Sequence, residues 1–117
     1  GGIVVDGVWN FASGVDFADW CELNIFLPRP NTHPEHFFAL IPKGDYEVID
    51  DWFVTGLAAT GSRSVRVKEL FVSQRMMMPS ENFRGGITPG SALNPGPIYM
   101  APLWATGGKM VGSGSML

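Results

Sequence analysis

This sequence predicts an all-β fold, a small antiparallel β-barrel of about six strands or a sandwich of the same elements. Three observations predict it. Short runs of β-branched and aromatic residues recur from residue 3 to residue 72, turn residues punctuate them, and no stretch carries a convincing helical period. A chain of 117 residues fits one domain. That size buries roughly two thirds of the unfolded surface, enough for one core. Hydrophobic residues make up 45% against 16% charged, so the chain folds, and its low charge suggests a face that something else covers.

The first element reads as a hairpin. Ile3-Val4-Val5 and Val8-Trp9-Asn10-Phe11 flank Asp6-Gly7, a dipeptide that accepts the positive φ angles of a two-residue type I′ turn. Alternation along its second strand would put Trp9, Phe11 and Ser13 on one face, with Asn10 and Ala12 on the other. Two rings followed by a hydroxyl suit a planar heteroaromatic ligand, and Gly14 lets the backbone approach it. The same residues also suit core aromatics followed by a turn.

Residues 20–27 form the next strand, closed by Pro28-Arg29-Pro30. Three prolines in residues 28–35 make that segment a loop. A strand over 36–41 ends at Pro42 and the turn Lys43-Gly44-Asp45, and another spans 46–54. On that strand Asp50 and Asp51 would face opposite sides, which rules out a carboxylate pair sharing one proton. Residues 55–64 are a loop of small residues. Residues 65–72 then alternate Val65, Val67, Glu69 and Phe71 against Arg66, Lys68, Leu70 and Val72, the pattern of a half-exposed strand near an edge. Beyond residue 79 the repeated Gly and Pro, in Gly85-Gly86, Pro89-Gly90 and Asn94-Pro95-Gly96-Pro97, suit an extended covering segment. The domain is expected to span 1–103, with a Gly/Ser-rich tail over 104–117. The opening Gly1-Gly2-Ile3 enters strand-like residues without a methionine and suggests a piece of something longer.

A net charge of −3 with dispersed basic residues argues against nucleic acid. Cys21 has no second cysteine to pair with, and no apolar run reaches the length of a membrane span, so a cytoplasmic protein with no membrane partner is expected. His33 and His36 lie in a Pro-broken loop without further ligands, and no metal site is expected. Met76-Met77-Met78 reads as a soft packing patch. Thr60-Gly61-Ser62-Arg63-Ser64 offers hydroxyls, a Gly and an Arg that could cradle an anionic group, or simply connect two strands.

Taken in order, these segments resemble the middle β domain of the acyl-CoA dehydrogenase superfamily, closest to the oxygenase components of flavin-dependent two-component aromatic hydroxylases. The resemblance rests on Gly7-x-Trp9-x-Phe11-Ala12-Ser13-Gly14, Ala18-Asp19-Trp20, Phe37-Phe38 with Pro42, and residues 45–50 with Trp52. It continues through Gly56-Leu57, Thr60-Gly61-Ser62, residues 65–72 and Asn94-Pro95-Gly96-Pro97. It implies a reduced FMN or FAD cofactor and a separate flavin reductase as partner. Phe11 would line the isoalloxazine, while Ser13 and the backbone of Ala12 and Gly14 would sit near its N5 and O4 edge. Thr60, Gly61 and Ser62 would lie toward the phosphate side. An acyl-CoA dehydrogenase proper usually carries Trp at the position of Phe11, which favours the monooxygenase branch. The family's flanking helical domains, which hold its catalytic base, have no counterpart here, so the isolated chain is expected to be inactive. Ser73 also stands where the family usually has proline.

Three readings stay open at this point. The chain is a flavin-facing domain of a monooxygenase, a non-catalytic β-barrel binding module, or a domain remnant that self-associates. A homo-oligomer is expected from its apolar content.

Overall fold

The computed structural model describes residues 1–84, 88 and 90–102. The tail expected over 104–117 lies outside the described residues, as do Gly85, Gly86 and Pro89 of the covering segment. Six strands are present: β1 (Gly2–Ala12), β2 (Trp20–Leu27), β3 (Glu35–Pro42), β4 (Glu47–Ile49), β5 (Arg63–Ser73) and β6 (Met77–Pro79). They form two three-stranded sheets, in the orders β1-β5-β4 and β2-β3-β6. The described residues are therefore all-β, apart from 3-10 turns and one helical turn, α1 (Pro97–Met100), which starts on a proline and which the sequence did not predict.

The chain divides into two compact units, one of residues 1–26 with 37–78 and one of residues 27–36 with the segment that begins at 79. The second unit contains the ion pair of Arg29 with Glu35 and the short helix α1, whose Tyr99 N–H donates to Gly96 O at 3.0 Å. The first unit holds the buried core. Val5 of β1, Cys21, Leu23 and Ile25 of β2, Ala39 and Ile41 of β3, and Val65, Val67 and Val72 of β5 are all buried. β2 shows why: its residues alternate strictly between exposed and buried, so Cys21, Leu23 and Ile25 fall on one face of the pleat.

Four sequence expectations change. The expected hairpin at Asp6-Gly7 is absent, and β1 runs unbroken for 11 residues. Its partner is β5, paired antiparallel from Gly2 opposite Ser73 to Ala12 opposite Arg63. Asp6 serves a bulge instead of a turn. Val5 faces Leu70 and Gly7 faces Val67, so Lys68 and Glu69 together oppose the single residue Asp6. Glu69 takes up the extra length at φ +43°, and its N–H donates to the Asp6 carboxylate at 3.0 Å. That extra residue also inverts the side-chain phase of β5. Val65 and Val67 point inward before it, Val72 points inward after it, and Phe71 is left exposed.

β5 is the centre of its sheet and not near an edge, because β4 pairs along its other side with Glu47 opposite Arg66 and Ile49 opposite Ser64. β4 itself is only three residues long, so Asp50 and Asp51 lie beyond the strand. Both turn back onto the start of β5, as described below. The methionine run supplies a 3-10 turn, 74–76, and then β6. Ser73, standing where proline was expected, has its hydroxyl accept from Arg75 N at 3.4 Å and so caps that turn.

Candidate functional site

The site is built by a second bulge in the β1–β5 pair. Trp9 faces Val65 and Ala12 faces Arg63, so Asn10 and Phe11 together oppose Ser64. Phe11 absorbs the extra residue in the left-handed region at φ +65°, a conformation costing a non-glycine residue about 1–2 kcal/mol. The consequence is positional. Simple alternation would have put Trp9 and Phe11 on the same face, but the bulge separates them. Trp9 turns inward and its indole N–H donates to Asn24 O on β2 at 2.8 Å. Phe11 stands outward with 74% of its surface exposed.

An aromatic neighbour supports the Phe11 ring. Trp52 meets it edge to face, with centroids 6.3 Å apart and planes at 89°. The Trp52 indole N–H donates in turn to Leu57 O at 3.3 Å. Trp52 and Phe11 lie 41 residues apart, so no pattern along the sequence discloses their pairing.

Directly after Phe11 the chain turns. Ser13 N–H donates to Phe11 O at 2.9 Å, and Gly14, at φ +77°, donates its N–H to Thr60 O at 3.0 Å. Gly14 thus ties the first predicted segment to the second, at a backbone angle that glycine alone adopts without strain. Side chains make the same connection. Ser13 Oγ lies 2.7 Å from Ser62 Oγ, Ser62 Oγ lies 2.8 Å from Thr60 Oγ1, and Thr60 Oγ1 donates to Leu57 O at 2.9 Å. Three hydroxyls therefore run in a line to one backbone carbonyl. Of the seven residues singled out in the sequence, Phe11 and Ala12 end β1, and Ser13, Gly14, Thr60, Gly61 and Ser62 fall on the two adjoining turns.

The turns are held by charge. Arg63 pairs with Asp16 at 3.1 Å and with Asp50, clamping both segments to the start of β5. Asp51 Oδ1 accepts the Ser64 N–H at 2.9 Å, and the buried Ser64 hydroxyl reaches Asn10 Oδ1 at 2.9 Å. Hydrogen bonds from Ser64, side chain first and backbone second, hold the Asp51 carboxyl below its ordinary value, with the Arg63 charge adding to the effect. A straight strand over 46–54 hides the roles of Asp50 and Asp51, and Asp16 meets Arg63 only through the tertiary fold.

Two shallow clefts flank Phe11. One, of about 230 Å³, is lined by Asn10, Phe11, Trp52, Ser62 and Ser64 among others. The other, of about 210 Å³, is lined by Phe11, Ala12, Ser13, Trp20 and Cys21 among others. Burial and the neighbouring Glu22 push the Cys21 thiol up, which keeps it protonated and a poor nucleophile. Among the described residues no group of three or more His, Cys, Asp or Glu side chains could hold a metal ion, and no helix is long and apolar enough to cross a membrane.

No family model matches the chain. Individual proteins do. The oxygenase subunit of the flavin-dependent monooxygenase HsaA from Mycobacterium tuberculosis is 34% identical over 106 residues, covering 91% of this chain and 27% of the relative. Its crystal structure superposes with a TM-score of 0.79 at 33% identity, over 87% of this chain and 27% of that one. The oxygenase component of the FADH2-dependent resorcinol hydroxylase from Rhizobium sp. is 34% identical over 91 residues, 77% of this chain and 22% of its own length. XiaF from Streptomyces sp., solved with FADH2 and glycerol, gives a TM-score of 0.67 at 27% identity, over 86% of this chain and 25% of its own. The chain spans about a quarter of the length of the relatives it matches. The chain is thus similar in sequence and fold, over most of its length, to a quarter-length segment of flavin-dependent monooxygenase oxygenase components, consistent with a partial acyl-CoA dehydrogenase-like fold.

Proposed function

We propose that this chain is the flavin-facing β domain of a reduced-flavin-dependent monooxygenase acting on aromatic substrates, fed with reduced FMN or FAD by a separate reductase. The observation that carries this reading is the exposed Phe11 ring, held in a strained conformation beside the ordered hydroxyls of Ser13 and Ser62. A flat heteroaromatic ring stacked on Phe11 would cover that exposed ring, which supports the reading. Reduced flavin, when bound, supplies the electrons that activate oxygen.

The chain's own residues do the rest. Phe11 covers one face of the ring and excludes water from it, braced from behind by Trp52. Ser13 and the backbone at Ala12 and Gly14 meet the polar edge of the ring. Thr60 and Ser62 hold the Ser13 turn in place through Gly14 and Ser13, and Thr60, Gly61 and Ser62 would lie toward the phosphate side. A cytoplasmic location and a homo-oligomeric assembly belong to the same proposal.

The test is an anaerobic titration of the 117-residue chain with reduced FMN and with FADH2, read by thermal unfolding. A ligand bound only by the folded state adds about 2.7 kcal/mol at a hundredfold excess over Kd. The expected result is a rise in Tm that Phe11→Ala and Ser13→Ala each abolish. No rise at millimolar ligand would overturn the reading and favour a self-associating remnant.

A further inference from the structure

The turn that leads into β5 offers an anion very little. A loop of small residues cradles a phosphate with its backbone N–H groups, and here those groups are engaged inside the protein. Thr60 N–H donates to Leu57 O at 3.1 Å, Gly61 N–H to Ala58 O at 3.3 Å and Arg63 N–H to Gly61 O at 2.7 Å. Ser64 N–H donates to the Asp51 carboxylate at 2.9 Å. The positive charge of the turn is engaged as well. Arg63 is shared between Asp16 and Asp50, two carboxylates for one guanidinium. The Lys43 ammonium donates to the backbone oxygen of Asp16 at 3.1 Å.

The clefts beside Phe11 repeat this bias. Asp51 lines one and Glu22 the other, and among the described residues no Lys or Arg lines either. The first unit, residues 1–26 with 37–78, carries nine acidic side chains against five basic ones. A negative potential therefore flanks the exposed ring on both sides. We propose that this domain takes a flavin by its ring and repels its phosphate, so that the ligand it prefers is an unphosphorylated flat heteroaromatic. This deepens the flavin reading given above and rests on it. Phe11 supplies the stacking surface and Ser13 the polar contact. The phosphate end, on the side of Thr60 to Ser62, meets a guanidinium already held by two carboxylates and N–H groups already donated elsewhere. An oxygenase that uses FMN or FAD has to bring the cations for its phosphate from outside this segment.

The experiment compares Kd for reduced riboflavin with Kd for reduced FMN, both measured anaerobically by calorimetry on the 117-residue chain. The two share the ring and differ at the phosphate, which carries about −1.5 to −2 charges at pH 7. At about 50 mM salt, where charges act over about 14 Å, riboflavin is expected to bind about fourfold more tightly. At about 1 M salt, where that reach falls to about 3 Å, the ratio is expected to approach one. Asp50→Asn and Asp16→Asn each release Arg63 from one partner. Each is expected to tighten FMN about threefold at low salt and to leave riboflavin unchanged. Glu69→Gln makes the same change of charge further along β5, about 20 Å from Arg63, and is expected to keep the wild-type ratio. A merely structural role for Asp16 and Asp50 would weaken both ligands together, and the ratio would not move. Thermal unfolding of each variant without flavin checks that it folds, and the salt series on the wild type needs no variant. FMN binding as tightly as riboflavin at low salt, or more tightly, would overturn the inference and leave the flavin reading standing. So would a ratio that neither salt nor a folded Asp50→Asn or Asp16→Asn protein moves. Binding of neither flavin would overturn both.

Discussion

Phe11 and Asp51 show how single residues carry this site. Phe11 sits at φ +65° because it absorbs the extra residue of the bulge, which leaves its ring exposed. Asp51 works from behind, taking the Ser64 N–H at the bulge opposite Asn10 and Phe11. Its carboxyl is held below the ordinary aspartate value of 3.8 by the Ser64 hydrogen bonds. A group with a lower pKa in the folded than in the unfolded state adds stability above its unfolded value and loses it as pH falls through its folded one. The urea midpoint should accordingly drop as pH falls from about 5 to below the unfolded aspartate value. Asp51→Asn should flatten that slope and lower the plateau above it, and an equally steep slope in the variant would place the titrating group elsewhere.

Strands β1 and β5 gain their character from two bulges, one on each strand. The bulge on β1 aims Phe11 outward, and the one on β5 resets which residues reach the core. Bulges of this kind are enriched beside functional sites because one extra residue redirects a side chain without breaking the sheet. The β5 bulge carries a measurable cost, since Glu69 occupies the left-handed region at φ +43° with its side chain exposed. Glu69→Gly should stabilise the fold by about 0.5–1 kcal/mol, the left-handed penalty relieved less the extra entropy glycine loses on folding. Urea unfolding would measure it, and a loss of stability would mean that the Glu69 side chain matters more than its backbone angle.

At the scale of the whole molecule the apolar surface is the dominant fact. Val4, Val8, Phe17, Phe53, Leu57 and Phe71 all stand more than half exposed. Val4 and Phe71 are direct cross-strand partners, so that part of the surface is continuous across β1 and β5. The relatives are about four times as long as the segment this chain matches, and such a face suits a domain packed against more protein. In solution the isolated chain should bury this face against itself. Light scattering at rising concentration is expected to give a mass climbing above 12.7 kDa, and a constant 12.7 kDa at high concentration would refute self-association.

Local chemistry determined a large part of this protein. The apolar runs of residues 20–27 and 36–41 and the prolines of residues 28–35 placed β2, β3 and the loop between them within a residue or so. The motif order singled out Phe11 to Gly14 and Thr60 to Ser62, and the fold brings these two segments together through Ser13 with Ser62 and Gly14 with Thr60. Tertiary structure decided the rest. Asp6-Gly7 carries a hairpin signal, yet pairing with β5 along the whole of β1 outweighed it and turned Asp6 into the acceptor for a bulge. Whether an extra residue sits opposite Asp6 or at Phe11 is a property of two strands far apart in sequence, and no window along one strand contains it. The same holds for Ser13 and Ser62, 49 residues apart, whose hydroxyls meet only when the fold brings their two turns together.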